Sequence, residues 1–320
     1  MSISLPKLRK NILIVLILIL IASCNVRESK YDNYKSIERF EKLFYNSNSN
    51  DLEKLKKKYP FFFPESYPKD VWLKRLNDPI QQEIFDEIIK AYDNLDFLES
   101  EIYSFFKNHN EYLNENIDIK IISVNTDIDY SNRIILTDSI LLIGLDNYLG
   151  KDHRFYKNFP SYIREDLTRN NIISDISERF ALNSIPKVEY YTFLDRIIFY
   201  GKILYYKDKC LTNYPDNYKI GYSSKKMQWA KDNEYFVWSY FIENEILFDP
   251  SIKLNNRFIN DAPFSTFNFE NDNQTTEMIG KYIGWNIVKS YMQNNDVSLI
   301  DMLYVKPIDI YIKSNYKPKK

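Results

Sequence analysis

The first 24 residues decide how much of this chain is available to fold. Lys7, Arg9 and Lys10 precede an unbroken apolar run from Ile12 to Ala22, and Ile21-Ala22-Ser23-Cys24 closes it. A charged flank, a short apolar segment and small residues before a cut follow the order of a secretory signal. Spanning ~30 Å of hydrocarbon takes roughly 20 apolar residues, so the run is too short for a transmembrane helix. It also lacks the polar face that a core helix would show. The cysteine has the form of a bacterial lipobox, whose thiol is acylated before the preceding peptide is removed. Residues 1–23 are therefore expected to be a signal peptide and Cys24 the lipidated residue, carrying palmitate-type chains. Residues 24–36, polar and charged beyond the cysteine, are expected to be a tether. One acyl chain, at about 0.8 kcal/mol per buried CH₂, holds only marginally, whereas two or three anchor firmly.

The remaining 37–320 is long enough for a sizeable core and reads as a single domain, with no internal repeat or Pro/Gly-rich linker. Losing Lys7, Arg9 and Lys10 with the signal takes the net charge from −1 to near −4. That balance lacks the clustered basic excess of a nucleic-acid binder. Cys210 is the one cysteine left besides Cys24, so no intramolecular disulfide is expected even in an oxidising compartment. It reads as a small buried hydrophobe. Six glycines in 320 residues argue against Gly-rich phosphate loops, and no G-x-G-x-x-G or Walker pattern occurs.

Asp78 and Pro79 form a helix start, N-cap then first helical position. Apolar residues from Ile80 to Phe105 then recur at three- and four-residue spacing, predicting a long amphipathic helix. Ile117, Ile119 and Ile121 alternate with polar residues, and 134–136 and 140–145 are short apolar runs, all strand signals. Helical patterns cover roughly 158–182, 189–207, 225–247 and 275–294. The fold class is α+β, mainly helical with a small mixed or antiparallel sheet of three to four strands. Gly280 and Gly284 form a GxxxG beside Lys281, Asn286 and Lys289. Those polar neighbours point to a close helix crossing in a soluble core rather than in a membrane.

Chemistry-bearing residues are few. His109 and His153 are the only histidines, no H-E-x-x-H occurs, and no metal or cofactor is expected. There is no G-x-S-x-G elbow. Two segments offer more than packing. Residues 144–153 end an apolar strand with Gly144, Asp146, Tyr148, Gly150, Asp152 and His153. Residues 195–202 place Tyr200, Gly201 and Lys202 in an aromatic helix, where glycine costs about 1 kcal/mol relative to alanine. Tight packing explains that glycine, and so does a groove. Asp146, Tyr148, Gly150, Asp152, His153, Tyr200, Gly201 and Lys202 form the candidate groove.

An ordered series of segments spans nearly the whole mature chain: Ile37-Glu-Arg-Phe-Glu41, Tyr59-Pro-Phe-Phe-Phe63, Trp72 with Asp78-Pro79, the 137–153 run containing LIGLDNYLGKDH, Phe159-Pro-Ser-Tyr-Ile163, the helix YIGWNIVKSYM at 282–292, and Lys313-Ser-Asn-Tyr-Lys-Pro318. Together they resemble the gliding-motility lipoproteins GldB of Bacteroidota. The resemblance implies a cell-envelope lipoprotein, facing the periplasm, whose partners are the membrane and other gliding or type IX secretion proteins. It also implies a zincin-like, peptidase-type layout, yet the helix around 190–206 carries no histidine. A non-enzymatic component on a peptidase-like scaffold is the reading that follows. A metallopeptidase with an atypical ligand set and a solute-binding lipoprotein are the alternatives.

Overall fold

The computed structural model describes residues 36–187 and 189–320. The signal peptide, Cys24 and nearly all of the tether lie outside the described residues. Residues 36–320 form one compact unit. In chain order, strand β1 (Glu38–Arg39) leads into helices α1 (Phe40–Tyr45), α2 (Asp51–Lys58), α3 (Lys69–Leu76), α4 (Pro79–Ala91) and α5 (Asp96–Leu113). Strands β2 (Lys120–Val124), β3 (Ile134–Leu136) and β4 (Ile140–Gly144) follow. The rest is helical: α6 (Ser161–Arg164), α7 (Ile172–Ser184), α8 (Phe193–Cys210), α9 (Asp216–Ile220), α10 (Ser224–Asp232), α11 (Glu234–Glu243), α12 (Lys253–Phe258), α13 (Ile279–Asn294), α14 (Leu299–Tyr304) and α15 (Pro307–Ser314).

The four strands form a mixed sheet in the order β1-β2-β4-β3. β2 runs parallel to both β1 and β4, with Lys120 opposite Ile140 and Val124 opposite Gly144, and β3 closes an antiparallel hairpin on β4. On one face Ile122 and Val124 pack against Phe44, Tyr45, Phe63, Leu76 and Phe85. An apolar cavity of about 260 Å³ remains there, walled by Phe40, Phe62, Trp72, Ile135 and Leu142. α7 packs on β3 and on α8, and α8 in turn packs on α5, α9, α13, α14 and α15, which makes it the central helix.

Several expected elements are divided. The long early helix breaks at Tyr92 (φ −131°, ψ 69°). There Asp93 and Asn94 supply a turn, and the Asn94 side chain accepts from Asp96 N at 3.3 Å. The 225–247 pattern is two helices hinged on Asn233, which ends α10 and starts α11. The 158–182 pattern is broken by the loop carrying Asp166, before Thr168 turns extended (φ −125°, ψ 150°). The first strand of the expected set starts three residues later, at Lys120. Asp78 does cap α4, accepting from Ile80 N and Gln81 N, with Pro79 in the first turn.

The GxxxG is a helix crossing inside the core. α13 lays Gly284 against the Ile197 backbone of α8, and a Cβ there would also lie 3.3 Å from Ile197 Cα. Across the seam, a Cβ on Gly201 would sit 3.0 Å from Trp285 N.

Candidate functional site

The loop between α6 and α7, together with α7 itself, α8 and the start of α13, encloses a polar cavity of about 320 Å³. α7 builds it with an i, i+4 pattern: Ser174 and Glu178, Asp175 and Arg179 project from a helix otherwise buried through Ile172, Ile173, Ile176 and Phe180. Most charges on the wall are matched. Arg133 Nε donates to Asp175 Oδ2 at 2.6 Å, and the Tyr148 hydroxyl donates to the same oxygen at 2.7 Å. Lys207 Nζ donates to Glu178 Oε2 at 2.8 Å, to Ser174 Oγ at 3.2 Å and to the Lys219 carbonyl at 3.0 Å. Burial alone would raise the Glu178 carboxyl. Lys207 and Lys281 outweigh that and hold it down at about 2. Lys219 is spent on Asp208 and Asp216, each at 2.9 Å.

Asp166 stands apart from these pairs. Enclosure pushes its carboxyl up to about 7, against only partial relief from Arg133. Its side chain accepts from Asn171 Nδ2 at 3.3 Å. Gly221 (φ +81°) faces it, and a Cβ there would lie 3.2 Å from Asp166 Oδ1. Asp166, Asn171, Tyr218 and Gly221 also line a second polar cavity of about 300 Å³. They therefore form the junction between the two.

Most residues of the expected groove have internal partners. Asp146, fully buried, accepts from Thr126 N at 3.0 Å, Thr126 Oγ1 at 3.0 Å and Ile128 N at 2.6 Å. Those bonds hold Asp127 (φ +62°) and Ile128 (φ +60°), two successive left-handed residues. Burial raises the Asp146 carboxyl to about 6, opposed by its backbone donors. Gly150 takes a positive φ (+110°) in the turn closed by His153 N on the Gly150 carbonyl at 2.9 Å. Asp152 is exposed. Gly201 meets the α13 backbone, and Lys202 Nζ donates to the Leu303 and Val305 carbonyls at 2.8 and 2.6 Å, ending α14. Burial pulls Lys202 down to about 8. Tyr148 reaches the polar cavity through Asp175, and Tyr200 does so through Lys281, whose ammonium lies 4.9 Å from its ring.

The scarce reactive side chains are similarly engaged. His109 is buried, with Nδ1 2.5 Å from the Tyr206 hydroxyl and Nε2 3.1 Å from Glu115, and burial lowers its pKa. His153 Nε2 lies 3.3 Å from Glu87 Oε2, and its Nδ1 accepts from Phe155 N. Burial pushes the Cys210 thiol up to about 12 and keeps it protonated. Among the described residues no group of three or more His, Cys, Asp or Glu is placed to hold a metal ion. Sequence reasoning passed over Asp166, Asn171, Glu178 and Arg179. The available signal was the polar i, i+4 stripe on the apolar 172–184 helix.

Among the described residues no helix is long and apolar enough to cross a membrane. No curated protein matches the chain, and neither does any solved structure. The family model described as gliding motility protein GldB matches residues 24–318. The chain belongs to the GldB family of gliding motility proteins.

Proposed function

We propose that this chain is a lipid-anchored, non-enzymatic component of the gliding machinery, held in the cell envelope facing the periplasm and working beside the type IX secretion proteins. The observation that carries the reading is the start of the family match at Cys24, the residue that ends the signal-like segment. The chemistry of the domain is in keeping with it. Both histidines, Lys202 and Cys210 are tied into internal contacts rather than aimed at a shared reaction centre. On this reading the scaffold is peptidase-like in layout and has become a platform for binding.

Two measurements on Cys24→Ser test the anchor. The variant should incorporate no labelled palmitate and should not support surface spreading, although the domain folds and accumulates normally. A C24S protein that still supports gliding overturns the reading. Metal analysis tests the non-enzymatic half. Stoichiometric zinc that disappears on His153→Ala would replace it with a metallopeptidase.

A further inference from the structure

At the junction with the second cavity two acceptors are open. Asn171 is 5% exposed, and its Nδ2 donates to the Asp166 carbonyl at 2.9 Å. That carbonyl fixes the orientation of the amide, because a flipped Asn171 would set acceptor against acceptor. Asn171 Oδ1 is thereby left buried with no hydrogen-bond partner while lining both cavities. Native structures rarely leave such an atom unpaired. Beside it, the Asp166 carboxyl is uncovered because residue 221 has no side chain.

Away from the junction the larger cavity carries two loosely held cations, beside the largely exposed Asp261 carboxylate. Arg179 lines the larger cavity and has no hydrogen-bond or ion-pair partner among the described residues. Lys281 is 18% exposed, and its nearest carboxylate, the largely exposed Asp261, is 3.8 Å away. Its closer neighbours are soft, with Met278 Sδ at 3.0 Å and the Tyr200 ring. Glu178 feels the charge of Lys281 but hydrogen-bonds to Lys207, and Asp175 is held by Arg133, so neither carboxylate directly pairs with Arg179 or Lys281.

We propose that the two joined cavities bind the carboxy-terminal end of a short peptide. Arg179 and Lys281 take its free carboxylate, Asn171 Oδ1 and the Asp166 side chain accept its backbone N–H groups, and the preceding residues pass Tyr218 into the second cavity. A carboxylate needs cationic donors, and Arg is suited to gripping both of its oxygens. Amide N–H groups need acceptors, which the junction offers beside the cations of the larger cavity. The volumes, about 320 and 300 Å³, fall in the range of sites for small ligands.

The test uses the detergent-solubilised mature lipoprotein and two equimolar libraries of N-acetyl tetrapeptides, one with free carboxylates and one carboxamidated. Affinity selection with mass-spectrometric readout should retain the free-acid library at least tenfold over the amides. Arg179→Gln should reduce that retention about tenfold without altering the melting temperature, because Arg179 holds no internal partner. Lys281→Met should act in the same direction, and Asn171→Leu should weaken retention of both libraries' best binders. Equal retention of the two libraries, retention of neither, displacement by inorganic phosphate as effective as by peptide, or unchanged binding by the R179Q/K281M double variant overturns the assignment.

Discussion

Gly284→Ala probes the contact on which the C-terminal half is built. A Cβ at 284 would fall far inside van der Waals contact of the Ile197 carbonyl, and neither partner is a side chain able to swing away. The helices must separate by more than 1 Å, and a gap of ~1 Å already forfeits about half of each dispersion well. The seam holds Leu194, Ile197 and Ile198 on α8 and Ile283, Trp285, Ile287 and Val288 on α13, all buried. Roughly 40 atom pairs at about 0.15 kcal/mol each, halved, amounts to about 3 kcal/mol. Removing glycine from a helix interior returns about 1 kcal/mol. The net expectation is about 2 kcal/mol of destabilisation, within the range for overpacking. In a domain of this size that lowers Tm by about 3–4 °C, read by circular dichroism of the mature chain. Gly280→Ala is the internal comparison. Its Cβ would meet the Phe258 carbonyl at 2.8 Å but otherwise two side-chain atoms at 3.1 Å, which have room to yield. It should cost less, and G201A combined with G284A should cost less than their sum, since one separation serves both. A G284A melt within 2 °C of the parent, or a larger loss from G280A, refutes the reasoning.

Three further outcomes follow from the site. Lys202→Met removes the donor to the Leu303 and Val305 carbonyls, each orphan costing about 1–3 kcal/mol, partly offset by losing a buried ammonium. Denaturant titration should show about 2 kcal/mol of destabilisation, and a variant as stable as the parent would remove the capping role. Asp166 has a raised folded-state pKa of about 7. Its contribution to stability is therefore fully present below the ordinary carboxylate range and lost as pH rises through 7. Asp166→Asn should be about 1–2 kcal/mol more stable than the parent at pH 8, less than the full shift because the side chain lines cavities open to solvent. The gain should vanish near pH 4, and a pH-independent difference would contradict the assignment. Asp146→Ala strips the acceptor from the left-handed 127–128 turn and should cost about 3 kcal/mol. Hydrogen exchange should speed up first at 126–128, and uniform exchange across the sheet would place the damage elsewhere.

What could be read from the sequence was local. The cap at Asp78, the apolar periods expected at 189–207 and 275–294 and the strand runs at 134–136 and 140–145 depend on contacts within a few residues. The breaks at Tyr92 and Asn233 were hidden because the apolar period continues through them. Tyr92 leaves the helix and sends its hydroxyl to the Tyr148 carbonyl at 2.6 Å, 56 residues away. Gly201 and Lys202 stand out in the sequence of a helix interior, and what they meet is the α13 backbone on one and the end of α14 on the other.

The sequence by itself determined the apolar segment ending at Cys24, the poverty of histidine and glycine, the mainly helical α+β character and the small-residue seam of the last long helix. All are properties of composition or of spacing along one stretch of chain. The tertiary structure alone decided that β1, β2 and β4 run parallel, because β1 and β2 are joined across five helices and no local pattern encodes their pairing. It alone assembled the polar cavity from loops and helices that lie between Tyr130 and Lys281. Whether a buried charge is spent or left open depends on which distant side chain reaches it. Glu178 is spent because Lys207 arrives from α8, and Arg179, one residue on, is open because no partner among the described residues reaches it.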